Sequence, residues 1–260
     1  MRRLALILSR FWQSSLDAEL EYRGNFVLAA LASIGNLLGS VFSLSLFYRG
    51  GGGFPGWTMD EGIIVLGLFT MFIGVVSTVL SPNLSRIVTH VEKGTLDFVL
   101  LKPIDAQLQV SLRVLSPWGA SDLLFGAGLV GYGAWRSEVH AWDALLALVP
   151  LASGVVMLYG LWFLVATTSI WFVKIYNATE VLRGLLEAGR FPLAAYPLAY
   201  RFLFTFIFPV GFLTTVPAEV LLGRARAPFF VGSIVGALVL FVLARLFWRH
   251  SLRSYSGASG

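Results

Sequence analysis

Long apolar runs, rather than alternating stripes, organise this chain. Six windows, 26–48, 62–80, 118–135, 144–173, 202–222 and 227–247, approach or reach the ~20 apolar residues a helix needs to cross a hydrocarbon core about 30 Å thick. Windows 26–48, 62–80 and 144–173 carry no charge, and neither does 227–244. Window 118–135 holds only Asp122, near its start, and 202–222 is interrupted by Pro209 and Pro217 and carries Glu219. The pattern predicts an all-α integral membrane protein of six transmembrane helices forming a single domain over 1–260. Ahead of the first window, Leu4, Ile7, Leu8, Phe11, Trp12, Leu16 and Leu20 recur at helical spacing, with Arg10, Gln13, Asp17 and Glu21 between them. That predicts an amphipathic interfacial helix over 1–25 lying along the membrane surface. The apolar stretch after Met1-Arg2-Arg3 stops at Ser9-Arg10, too short for the core of a signal peptide.

Composition agrees. Hydrophobic residues make up 57% and charged residues 13%, against about 25% charged in soluble domains. The net charge of +5 would suggest nucleic acid in a soluble protein, but here the basic residues flank apolar windows. Fifteen of the 19 Lys and Arg fall in the N-terminal arm, the 81–117 loop, the 174–201 loop and the C-terminal end. Cytoplasmic loops are enriched in these residues, so both termini are expected inside a plasma (inner) membrane, with lipid and not nucleic acid as the bulk partner. Cys is absent, which removes disulfides, thiolate catalysis and cysteine-ligated metals. His90, His140 and His250 are far apart and outside the windows, and no metal site is expected. Gly50 to Gly53 lack the following Gly-Lys-Ser/Thr of a phosphate loop. No nucleotide or cofactor site is expected in this chain.

The 81–117 loop is the most informative segment. Leu84, Ile87, Val88 and Val91 fall at i, i+3, i+4 and i+7, which predicts a short amphipathic helix that Gly94 ends in a left-handed cap. Thr95 is placed to cap a second short helix over Leu96 to Leu101, stopped by Pro103. The pair forms a knuckle beneath the membrane with Glu92, Lys93 and Asp97 facing water, suited to docking in a cleft of a cytoplasmic partner. Elsewhere, Gly35 with Gly39 and Gly232 with Gly236 are pairs of small residues four apart that let helices approach closely, within the chain or between two chains.

Glu92-Lys93-Gly94-Thr95-Leu96-Asp97 followed by Leu101-Lys102-Pro103 resembles the first cytoplasmic loop of ABC-2 type transporter permeases. The order of features is similar too: surface helix, two spans, this loop, four more spans. Glu19 to Phe26, Ser81 to Arg86 and Leu213 to Glu219 look like a bacterial subfamily of these permeases whose cargo is uncharacterised. The resemblance covers essentially the whole chain. It implies the membrane subunit of an ATP-driven transporter, usually an exporter. Two chains, identical or paralogous, would line the path, and ATP and Mg would be held by separate cytoplasmic ABC ATPases docked on Glu92 to Asp97, the coupling helix pair. It also implies an alternative for the fifth span, in which a crossing begins near Tyr176 and a Pro-rich re-entrant hairpin follows on the outer face. Glu180, Arg183, Glu187 and Arg190 would then enter the membrane on one helical face. Because ionisable groups in the membrane cost about 2.5–3.5 kcal/mol each, the simpler expectation is an inner-face amphipathic helix followed by a span from Phe202. In both arrangements Glu219, Arg224 and Arg226 lie near the outer face.

Other classes fit less well. An ion-coupled secondary transporter is expected to carry ionisable relays inside its spans, and the uncharged windows supply none. A membrane enzyme needs a concentrated acid, base or metal constellation; the six Asp are scattered and no His lies in a span. A membrane scaffold would not require the knuckle.

Overall fold

The computed structural model describes residues 9–17, 23–172 and 176–255. The helix α1 covers 9–17, so the remainder of the interfacial helix expected over 1–25 lies outside the described residues up to α2, Arg23–Arg49. There follow α3 (Met59–Val75), α4 (Ser81–Glu92), α5 (Asp97–Leu100), α6 (Ala106–Leu112), α7 (Ala120–Arg136) and α8 (Ala141–Thr167). The chain continues with α9 (Tyr176–Leu186), α10 (Leu198–Phe202), α11 (Val210–Leu213), α12 (Thr215–Leu221) and α13 (Ala227–Arg253). Among the described residues, four helical stretches are long and apolar enough to cross a membrane: Val27–Arg49, Met59–Glu92, Ala141–Ile170 and Ala227–Arg253. At 17 residues, α7 is about 25 Å long.

Glycines set the α3–α7 pair. Gly67 faces Gly126, Gly74 faces Gly119 and Gly133 faces Asp60, so the helices run antiparallel with their backbones touching. The contacts repeat every seven residues, at 67 and 74 on one helix and 119, 126 and 133 on the other, the period that keeps one seam facing a partner. A Cβ on Gly126 would sit 2.7 Å from the Gly67 carbonyl oxygen. Gly126→Val therefore forces the helices apart and is expected to cost about 1–3 kcal/mol, read as a lowered unfolding midpoint in detergent. Gly128→Val, where nothing lies within 4 Å, is the control and leaves the midpoint in place.

At the lower end of α3 the helix widens into a π turn, Val76–Leu80, before α4. Pro82 causes this: it has no N–H to give the Thr78 carbonyl, which accepts instead from Ser116 N at 2.9 Å. Helices α8 and α13 form the second closely packed pair, with Gly160 against Leu240 and Gly236 against Met157. Trp162, Phe163 and Trp248 are fully buried around it, the last two rings edge-on at 5.4 Å. Trp162, the mid-window tryptophan, is thus core.

The 202–222 window is not one straight crossing. Its helices, Leu198–Ile207 and Val210–Leu221, bend by 71° at Phe208-Pro209. The chain on either side of them meets the loop between α2 and α3: Phe191 packs on Phe54 at 5.5 Å, and on Phe47 at the end of α2 at 5.6 Å, and Arg224 donates to the Gly56 carbonyl at 3.0 Å. Meanwhile α9 and the turn Glu187–Arg190 climb the bundle. Arg183 donates to Ser81 Oγ at 3.2 Å, near α4, whereas Arg190 donates to Ser40 Oγ at 3.2 Å, midway up α2. The turn Glu187–Arg190 thus lies beside the middle of α2, and the charges of this stretch are not isolated: Arg190 pairs with Glu187 at 2.6 Å and lies over the Phe69 ring, and Arg183 lies 3.7 Å from Glu180 and over Trp162. Opposite charges at i, i+3 relieve one another.

Candidate functional site

The knuckle is built from the residues the loop pattern singled out. Leu84, Ile87 and Val88 turn one face of α4 into the core, and their side chains are fully buried. The helix stops at Glu92, with Lys93 as its cap residue. Gly94 follows at φ +63°. Gly94 N donates to Val91 O at 3.2 Å and Thr95 N to His90 O at 2.9 Å, the paired bonds of a Schellman cap. Thr95 does not cap the second helix. Its hydroxyl is hydrogen-bonded to His90 Nδ1 at 2.8 Å, across the turn, and Leu96 is the residue that precedes α5. The second helix is one turn, Asp97–Leu100, shorter than the expected run to Leu101, because Leu101 is already the cap ahead of Lys102-Pro103. Glu92 and Lys93 are exposed and Asp97 is half-buried.

Leu96 and Val99 point from this turn into the bundle, where they join Leu84, Ile87 and Trp248 in one core cluster. The opposite side carries what the sequence reading missed. Phe98 and Leu101 are 68% and 80% exposed, forming an apolar crest below the charged residues. The signal was available: in a single helical turn, inward Leu96 and Val99 leave Phe98 and Leu101 outward.

Three tethers hold the knuckle to the long helices. Asn83 donates to the carbonyls of Val79 and Val114, both at 2.7 Å, and accepts from Val114 N at 2.8 Å, clamping α4 to the segment after α6. Tyr159 of α8 bonds Gln107 at 3.0 Å and Ser111 at 2.9 Å on α6. Asp105, the cap of α6, takes both arms of Arg245 on α13, which holds its carboxyl below the usual carboxylate range. From the other side α1 docks on the same segment, Trp12 donating to Leu112 O and Ser15 to Leu115 O, both at 3.0 Å.

The glycine pairs separate. Gly232 faces Phe212 and Gly236 faces Met157, inside the chain, whereas Gly35 and Gly39 have nothing within 4 Å. Most of the α2 span faces outward in the same way. The closest backbone-to-backbone approaches, at heptad rather than four-residue spacing, are those of α3 and α7.

Crossing-length apolar helices around a common core, with irregular backbone gathered at their ends, define a polytopic integral membrane protein. The sequence model of the ABC-2 family transporter protein matches residues 34–259, and the chain belongs to that family. No curated protein matches it. Members of the family are membrane components of ABC transporters, working with ABC ATPase subunits.

Proposed function

We propose that this chain is the permease subunit of an ATP-driven exporter, and that the knuckle from Glu92 to Leu101 is where a cytoplasmic ATPase docks and pushes. The observation that carries this is the exposed Phe98–Leu101 crest on a turn whose other face is rooted in the core. Aromatic and large apolar side chains of this kind anchor protein interfaces, and the Glu92, Lys93 and Asp97 rim supplies polar specificity. A docked partner that moved the crest would move α4 directly, and α8 and α13 through Tyr159 and Arg245. ATP and Mg belong to the partner, and both termini lie on its side of the membrane. On this reading Tyr176 to Arg190 is the fifth crossing, and 198–221 is a re-entrant hairpin on the outer face.

A second permease chain follows from the charges on that crossing. Glu180, Arg183 and Glu187 remain roughly half exposed. Lipid is a costly neighbour for them, so a second copy meets this face across a water-lined path, beside the open backbone at Gly35 and Gly39. The cargo passes between the copies.

Co-purification in mild detergent tests the docking. A protein bearing a Walker A sequence should accompany the tagged chain, and Phe98→Ala or Leu101→Ala should lower its recovery roughly tenfold while the permease remains folded. Unchanged recovery in both variants removes the crest from the interface. A folded chain that brings down no such ATPase returns the ion-coupled transporter and scaffold readings.

A further inference from the structure

A cavity of about 630 Å³ opens at the end of the bundle opposite the knuckle, between the Pro55–Trp57 turn, α10, α12 and the start of α13. This is within the size range of ligand sites. Its lining divides by chemistry. Leu198, Val216 and Phe229 offer an apolar wall, and Arg201, Arg224 and Arg226 a basic one. The three guanidiniums are not equivalent. Arg224 is paired with Glu61 and bonded to Gly56 O. Arg201 donates Nε to Tyr196 O at 2.6 Å and one terminal nitrogen to Ala194 O at 2.9 Å, which fixes the plane of the group and leaves its other terminal nitrogen without a bond among the described residues. Arg226 immediately precedes α13. It faces Glu219 through space and donates no side-chain hydrogen bond among the described residues.

Charge and position narrow the occupant. Glu61 neutralises Arg224, and Glu219 balances only one of the remaining two arginines, so the cavity holds an excess of positive charge. It also lies where α13, a helix of crossing length, begins, at the level of one headgroup layer. The apolar wall at Leu198 continues along the same helix face to the exposed side chains of Phe202 and Phe206, whose rings touch at 5.1 Å, a surface that runs down into the hydrocarbon. A pocket with an anion-favouring rim and an apolar exit toward acyl chains is amphipathic in the same sense as a lipid.

We infer that this cavity binds a phosphate-bearing amphiphile, its phosphate on Arg201 and Arg226 and its chains against Leu198, Val216 and Phe229. The inference requires only that the bundle sits in a membrane. It stands or falls separately from ATPase docking, because the site and its test involve neither the knuckle nor a partner.

The test uses the full chain, delipidated in a maltoside detergent, with no ATPase present. Dihexanoyl phosphatidylglycerol should bind saturably by titration calorimetry. Arg226→Gln, which loses no internal hydrogen bond, should weaken binding roughly tenfold, the range of a charge-assisted hydrogen bond. Arg201→Gln should do the same, and Arg136→Gln, at the same end but outside the cavity, should bind as the unaltered chain does. Inorganic phosphate and a short-chain diacylglycerol supply the head alone and the chains alone, and each should bind far more weakly than the whole lipid. Failure of the lipid to bind, or equal binding by the Arg226→Gln and Arg201→Gln variants, overturns the site. Inorganic phosphate binding as tightly as the lipid overturns the amphiphile and leaves a simple anion site.

Discussion

Arg224→Met lowers the stability of the chain by about 3 kcal/mol, the lower end of the 3–5 kcal/mol range for breaking a buried ion pair. Arg224 is itself half exposed, which discounts the loss. The cost falls on Glu61. That carboxylate is buried at the start of α3, where it closes a capping box: its Oε2 accepts from Thr58 N at 2.8 Å, and Thr58 Oγ1 accepts from Glu61 N at 3.3 Å. Its other oxygen meets Arg224. Without the guanidinium, a charge remains in a low-dielectric site with half its acceptor capacity unmet. Glu61→Gln keeps the cap, since Gln serves at this position, and removes the charge. The double variant Glu61→Gln, Arg224→Met should therefore recover much of what Arg224→Met loses. Unfolding midpoints of the four proteins in detergent give the coupling energy directly. A single variant as stable as the unaltered chain, or a double variant no better than the single, would show that Glu61 finds its solvation elsewhere.

How much of this was readable beforehand depends on whether a feature is periodic or relational. The stripe of Leu84, Ile87 and Val88 and the cap at Gly94 are local, and both are present as the spacing predicts. Helices also lie over the uncharged windows, because an apolar run of that length has few other ways to satisfy its backbone. The α3–α7 seam was written in the sequence as glycines seven apart, but a search for small residues four apart passes over it and selects Gly232 and Gly236, which pack on Phe212 and Met157, and Gly35 and Gly39, beside which a Cβ would meet nothing within 4 Å among the described residues. The 176–221 region was the least readable, because its 71° bend and the pairing of its charges follow no local period. Hydropathy gives a window its length but not the side on which it ends, and a cost assigned to each charge singly omits the pairing of Glu187 with Arg190 and the faces of Trp162 and Phe69 that receive the cations. The tethers Asp105–Arg245 and Gln107–Tyr159 join residues more than 50 apart in sequence, and no local pattern marks them.

Gly94→Val has the largest expected effect on coupling. At φ +63° an L-residue with a Cβ costs about 1–2 kcal/mol, and a β-branched one is more strongly excluded from this region. The chain escapes the strain by unwinding the turn, which gives up the Thr95-to-His90 and Gly94-to-Val91 bonds and the His90–Thr95 contact together. Leu96 then loses its aim into the core, and the Phe98–Leu101 crest loses the rigid root that lets a push on it reach α4. The long helices do not depend on this turn, so the variant should reach the membrane in normal amount. In the purified complex, the stimulation of ATP hydrolysis by the permease should fall to near zero. Gly94→Asn supplies the decisive comparison, since Asn tolerates the left-handed region while changing size and polarity as much as many substitutions would. If backbone geometry is what transmits the force, Asn should retain most of the stimulation, Ala should fall between, and Val should lose it. Equal loss in Asn and Val would mean the partner reads the absence of a side chain at residue 94, making it a contact surface rather than a hinge. Full stimulation in Gly94→Val would remove the knuckle from the coupling path altogether.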